Sequence, residues 1–398
     1  MKGRSVDWWL NNHGPSFKRL SVTQAAGYAG DTLVAIALAG TIFFDVPPAE
    51  ARGKVALYLL LTATPFIVLS PLLPRVFARL PNPYRVGLVG SGGIRAVIGI
   101  ALLLVGLDSI WLFPLVFGLL VFGRLHGIAR SSLLPLTLPE EAALVTANSR
   151  QAQIGLIAGA VAAPVGAALM QGFGPEAPLM LSVGTFVATA FLASTIDTPS
   201  TAQDSATEPN AGWSPHAVTR LSLAGAAIVR SLHGFLVLLV AFAFKEADAG
   251  LLDFGALLGA AGAGYGLASF LVPRLEHRLR EEPMVIGALG IQVVAALIAN
   301  QFFGLAAGVI ATTAAGLAWG TAKFAFDGIL QHRTEPHVRG LAFTRSETLF
   351  QFAWVMGAIV PAAISIDVSS GLVFTAAAAL STLGIIGTPL LTSIRRSR

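Results

Sequence analysis

Cysteine is absent from the 398 residues, which excludes disulfides, thiolate metal sites and cysteine nucleophiles. Charge is scarce. Asp, Glu, Lys and Arg make up 12% of the chain, about half the roughly 25% of an ordinary soluble domain. That scarcity excludes a typical water-soluble enzyme. With 55% hydrophobic residues it also excludes a disordered chain, which needs low hydrophobicity and high charge. No Gly-x-x-x-x-Gly-Lys-Ser/Thr loop occurs, so ATP drive within this chain is not expected, and no His-Glu-x-x-His zinc helix occurs either. No extended polar region offers room for a catalytic domain. The expectation is a non-enzyme that carries no cofactor and no metal.

What is present is long apolar runs, with a mean hydropathy of +0.73. A spanning helix needs about 20 mostly apolar residues, and twelve such stretches can be read. In the first half they cover 22–44, 55–74, 87–107, 109–133, 147–171 and 177–195. In the second half they cover 218–244, 252–273, 284–303, 305–328, 344–366 and 371–393. The connections are short except 196–217, a Ser/Thr/Pro/Ala-rich stretch without apolar periodicity, which reads as a polar linker. The opening residues lack the apolar core of a signal peptide, and Trp8 and Trp9 suit an interfacial anchor. This layout predicts an all-α integral membrane protein of twelve transmembrane helices. A six-helix bundle over 1–195 is joined by the linker to a second bundle over 218–398.

The net charge of +5 raises nucleic acid as a partner, but the placement of the basic residues favours membrane topology instead. With the amino terminus inside, cytoplasmic segments hold 19 of the 26 Lys and Arg, and outer loops hold Arg52, Lys54 and Lys245 alone. Arg95, Arg124, Arg230 and Lys323 fall within spans. The positive-inside bias places both termini in the cytoplasm.

Half-length duplication is visible too. PRVFARL (Pro74–Leu80) follows the second span and PRLEHRL (Pro273–Leu279) the eighth, 199 residues apart. Parallel six-span repeats are one way transporters are built. The same offset sets Asp31 in the first span against Arg230 in the seventh, and Arg124 in the fourth against Lys323 in the tenth.

Twelve spans, two halves, a long central loop and basic loops after spans two and eight resemble the major facilitator superfamily over the whole chain. The family's loop signature departs here: Pro74 stands where Gly is expected and Ala78 where Asp is expected, while Arg79 and Arg85 remain. GAVAAPVGA (Gly159–Ala167), with Pro164 and Gly166, is similar to the glycine-and-proline motif of the family's antiporters, and GAIVP (Gly357–Pro361) echoes it in span eleven. Small residues there let helices approach closely and Pro kinks them. VALYLLLTATPFIVLSPLLPR and RGLAFTRSETLFQFAWVMGAIVP look like drug or multidrug exporters of high-GC bacteria. The resemblance implies two bundles related by a pseudo-two-fold axis in a bacterial inner membrane. It further implies alternating access driven by protons, the bilayer and a small amphipathic substrate as partners, and action as a monomer. The degraded loop motif leaves a second reading open, a lipid-handling or scaffold protein that keeps the fold without coupled transport.

A charge near the bilayer centre costs about 2.5–3.5 kcal/mol on insertion scales, so it faces a cavity or a partner. Asp31 is either a proton carrier or one half of a permanent ion pair with Arg230, Arg95 or Arg124. Those arginines either take part in coupling, or hold structural pairs, or receive an anionic head group. Lys323 and Asp327, four apart on one helix face, read as an inner gate or a structural pair rather than a substrate site, and are grouped with Glu347, Arg75 and Arg79 as a cytoplasmic gate network. His126 and His233 are relay candidates because a histidine titrates near neutrality, or simply hydrogen-bonded groups. Trp319, Trp354, Phe350 and Phe352 either line an aromatic cavity or pack helices. Gln151, Gln153 and Gln351 bond either substrate or a neighbouring helix.

Overall fold

A computed structural model describes residues 14–42, 80, 82–107, 109–138, 144–197, 213–246, 251–276, 278–302 and 304–396. Among these are eleven α-helices: α1 (Pro15–Ile42), α2 (Pro83–Val105), α3 (Leu112–Leu133), α4 (Leu144–Phe173), α5 (Glu176–Ser194), α6 (Ala217–Glu246), α7 (Leu251–Glu276), α8 (Glu281–Ala299), α9 (Gly304–Arg333), α10 (Pro336–Ala363) and α11 (Val368–Arg396). They correspond to the first span and to spans three to twelve. The second span, the PRVFARL stretch before Leu80, Arg75 and Arg79 lie outside the described residues, as does most of the linker.

Local chemistry sets the helix ends. Pro83 occupies the first turn of α2, where its missing N–H costs nothing. Gly106, at φ +87°, closes the same helix by donating its N–H to Leu102 O at 3.0 Å, and its positive φ favours glycine. Acidic side chains sit in the first turns of α5 and α8, and His332 and Arg333 in the last turn of α9, each the sign that the helix dipole prefers. Asp367 Oδ1 accepts the Ser370 N–H at 2.8 Å and caps α11.

Eight of these helices are long and apolar enough to cross a membrane: α2 to α6, α8, α9 and α11. α1 and α10 begin seven and eight residues before the expected spans, because their first turns are polar and charged, with Lys18 and Arg19 on one and Arg339 on the other. A hydropathy window does not register such turns, although the helix runs through them.

Contacts divide the chain into two compact units. One holds α1–α5 together with Thr334–Thr344, and the other holds α6–α9, α10 from Arg345 onward, and α11. The same helix pairs pack in each. α1 meets α5 as α6 meets α11, α2 meets α5 as α8 meets α11, and α2 meets α3 as α8 meets α9. Glycines set the closest crossings. A β-carbon on Gly166 of α4 would lie 2.9 Å from Ile36 of α1, and one on Gly357 of α10 would lie 1.9 Å from the Ser231 carbonyl of α6. Pro164 and Pro361 lie inside the helices that carry these glycines.

Candidate functional site

In the first unit, Gln24, Gly27 and Asp31 follow one another at helical spacing along one face of α1, and Ser91 and Arg95 do the same on α2. Arg95 is fully buried and its Nη1 donates to Asp31 Oδ1 at 2.7 Å, while the Asp31 side chain remains 52% exposed. Arg95 Nε donates to the Ser91 carbonyl at 3.1 Å, and the guanidinium carbon lies 4.4 Å from the centre of the Phe186 ring on α5, cation–π geometry. Nη2 is buried with no hydrogen-bond partner among the described residues. Arg124 on α3 also acts electrostatically on Asp31. Of the three partners open to Asp31 in the sequence, the geometry selects Arg95.

His126 is buried on α3 behind this pair. Its Nδ1 lies 3.2 Å from Ser91 Oγ and its Nε2 3.3 Å from Gln24 Oε1. Gln151 on α4 donates to Ser21 Oγ on α1 at 2.9 Å, so it bonds a neighbouring helix. Gln153 and Gln351 are buried. Gly155, Gly159 and Gly166 of α4 all face α1, against Tyr28, Thr32 and the Leu33–Ile36 pair, so the antiporter-like motif forms the seat of the helix that carries Asp31.

The second unit gathers two further sets. Arg230 lies beside His233 on α6, with Nη1 3.2 Å from His233 Nδ1. Its guanidinium carbon is 4.5 Å from the Trp319 ring centre and 5.6 Å from that of Trp354. Lower on α9, Lys323 Nζ sits 2.5 and 2.6 Å from the two Asp327 oxygens and 2.7 Å from Glu347 Oε1 on α10. Phe350 joins the two sets, edge-on to Trp319 at 5.3 Å and 6.0 Å from Lys323 Nζ. Phe352 is exposed. The expected Lys323–Asp327–Glu347 cluster therefore forms, and the two tryptophans receive a cation.

Sequence reading missed several contributors. Ser91, Gly27 and Phe186 lie against Arg95 and Gln24 against His126, and the helical spacing of Ser91 with Arg95 and of Gln24 with Asp31 was the available signal. It also missed two pairs between the end of α9 and the start of α8: Arg333 Nη2 to Glu282 Oε1 at 2.9 Å, and His332 Nδ1 to Glu281 Oε1 at 3.2 Å. Tyr84 Oη accepts the Gly340 N–H at 3.1 Å, a contact between residues far apart in sequence that carries no local signature. Among the described residues no group of three or more His, Asp or Glu side chains gathers as a metal site.

The site's chemistry is that of a carboxylate open on one side and held on the other by an immobilised cation. Protonating Asp31 would leave the buried Arg95 charge uncompensated, an expensive state in a low-dielectric interior.

No protein-family model matches the chain. The chain is 30% identical to Uncharacterized protein ML2143 of Mycobacterium leprae (strain TN), over 91% of this chain and 69% of that protein. It is 31% identical to Uncharacterized protein Rv0876c of Mycobacterium tuberculosis (strain ATCC 25618 / H37Rv), over 91% and 71%. Among solved structures, a bacterial homologue of the iron transporter ferroportin, outward-facing, superposes with a TM-score of 0.64 at 16% identity, over 95% of this chain and 99% of that one. The major facilitator superfamily transporter FucP in its outward conformation gives 0.67 at 13% identity, over 93% and 97%. The human organic anion transporter MFSD10 gives 0.64 at 13% identity, over 94% and 100%. The fold is therefore the all-α major facilitator fold, and the chain is a multi-pass membrane protein.

Proposed function

The chain belongs to one family with these mycobacterial proteins, and on that premise, together with its fold, we propose that it is a secondary active transporter, a proton-coupled exporter of a small amphipathic molecule. Bundles over 1–195 and 218–398 alternate access to a site between the leaflets of a bacterial inner membrane, with both termini in the cytoplasm and the monomer as the working unit. One observation carries the reading: a half-exposed Asp31 carboxylate bound by a single nitrogen of a fully buried Arg95. An intramembrane acid open on one face can take up and release a proton, and a fixed cation behind it ties that exchange to the electrostatics of the bundle.

Arg124 modulates the same carboxylate. Arg230, with the Trp319 and Trp354 rings, His233 and Gln351, receives the substrate. Gln153 and His126 support the Asp31 side. Lys323, Asp327 and Glu347 form the inner gate with Arg75 and Arg79 of the basic loop.

The test is reconstitution in liposomes with an imposed pH gradient and a panel of amphipathic dyes. Dye accumulation that follows the gradient, and is lost in Asp31→Asn, supports the reading. Gradient-driven accumulation undiminished in Asp31→Asn removes Asp31 from the mechanism, and no accumulation of any dye favours a lipid-handling role.

A further inference from the structure

α10 is one unbroken helix that belongs to two compact units. Through Thr344 it is part of the first, and from Arg345 onward it is part of the second. Each stretch has its own fastening. On the second, Arg345 Nη1 donates to the Trp213 carbonyl at 3.1 Å, and Gly357 lets the helix rest on the Ser231 carbonyl of α6. On the first, Leu341, Ala342, Phe343 and Thr344 are buried, and Tyr84 Oη of α2 accepts the Gly340 N–H at 3.1 Å.

The turn that ends at this boundary is built to give. Gly340 is the weakest helix former after proline, because glycine gives up the most backbone freedom. Both of its main-chain groups also have side-chain partners. The N–H goes to Tyr84, and the carbonyl accepts Thr344 Oγ1 at 2.7 Å. Opening a helical turn in a membrane protein is costly because it strands main-chain groups, and threonine side chains are among the groups that satisfy them again. If the main-chain bond between Gly340 and Thr344 parts, neither Gly340 group is stranded. Back-bonding threonines occur elsewhere, as at Thr312 and Thr375. Those turns lie inside the second unit, whereas Gly340–Thr344 runs up to the boundary.

We propose that Gly340–Thr344 is a hinge in α10, with Tyr84 holding the short arm on α2 while the long arm follows the second unit. The inference rests on the alternating-access reading, in which the units move as bodies. A stiff helix fastened in both would resist that movement, and a bend at the boundary removes the conflict. Hinges are a few positions that absorb a change in φ and ψ, and helices bend at glycine and at back-bonding Ser or Thr. Tyr84 and Thr344 are positioning residues here. The first keeps the short arm in place, and the second holds the Gly340 carbonyl while the turn is open.

The test uses the full chain in liposomes. It reads the rate of pH-gradient-driven dye transport and, by mass spectrometry, the hydrogen exchange of peptides covering 340–348. Thr344→Val exchanges the hydroxyl for a methyl group, so opening the turn now strands the Gly340 carbonyl. Exchange over this turn and dye transport should both slow about fivefold, the worth of one hydrogen bond. The melting temperature should stay level or rise, since back-bonding slightly destabilises a helix. Thr344→Ser restores the hydroxyl and should restore both rates. Tyr84→Phe frees the short arm and should quicken exchange over 336–340 but not over 350–360. A Thr344→Val variant that melts lower and exchanges faster has lost a merely structural contact, which overturns the hinge. Dye transport by the unmodified protein, with exchange unmoved in Thr344→Val, overturns the hinge alone. An unmodified protein that moves no dye removes the alternating-access reading, and the hinge with it.

Discussion

Arg95 and Asp31 face opposite environments across a 2.7 Å contact: the guanidinium is wholly enclosed by helices and the carboxylate is half open. The cation is anchored by Ser91 and Phe186 independently of its acid. The pair is therefore asymmetric, an enclosed charge and a half-open one.

That asymmetry separates stability from transport. Breaking a buried pair destabilises when the group left behind is a buried charge, but here the group left behind, Asp31, is half open and can be solvated, while the desolvated cation is the one removed. Arg95→Met should fold with an unfolding temperature at or above that of the unmodified protein while losing gradient-driven transport. Scanning fluorimetry on the six native tryptophans, beside a liposome assay, checks both. A destabilised but fully active Arg95→Met would contradict the assignment.

The Lys323 cluster should behave in the opposite way. Removing the Lys323 ammonium takes a cation from both Asp327 and Glu347, and the Asp327 side chain is almost fully enclosed. Lys323→Met is expected to destabilise by about 3–5 kcal/mol, the usual result of breaking a buried pair from one side. Adding Asp327→Asn to that variant should recover part of the loss. A double-mutant cycle from denaturant melts measures it, and strict additivity of the two changes would contradict the cluster's coupling.

Glycine substitutions offer a paired test of helix seating. Gly357→Ala drives a methyl into the Ser231 carbonyl 1.9 Å away, whereas Gly93 has nothing among the described residues within 4 Å of the same position. The first change should cost about 1–3 kcal/mol or more, the range for overpacking. The second should leave the yield of folded protein unchanged. Size-exclusion profiles of the two variants side by side decide the matter.

Acid stability has one traceable contributor outside the membrane. Hydrogen bonds from Ser370 hold the Asp367 carboxyl below its ordinary value of 3.8. Between the two values the unfolded chain binds the extra proton, so stability rises with pH there. The contribution is complete above about pH 3.8 and disappears as pH falls through the folded-state value. Asp367→Ala should lower stability at neutral pH and narrow its difference from the unmodified protein in acid. Melting curves at a series of pH values read this directly, and a difference that grows in acid would reverse the sign.

Much of the architecture could be read before any coordinates, because lipid-facing helices must be apolar along their length, as α2 and α8 are. α1 and α10 were read short, since their opening turns are polar and a hydropathy window records the solvent around a segment rather than its backbone. The embedded charges were found by the same logic, but their partners were not. Asp31 and Arg95 are 64 residues apart, and nothing local distinguishes Arg95 from Arg124 or Arg230. Trp319 and Trp354 were seen as aromatic, yet their stacking with Arg230 depends on three helices converging. Gly27 gave no signal because its close approach to His126 follows from how α1 packs on α3.

Glycines grip α1 from two directions. Gly155, Gly159 and Gly166 receive it from α4, and its own Gly30, next to Asp31, is pressed so close to Phe186 and Thr185 that a β-carbon there would lie 2.5 Å from the ring. A rod clamped along three turns cannot slide along its own axis past α4 and α5. The height of the Asp31 carboxylate within its unit is thereby set once, at folding, and only what meets its open side is left to vary.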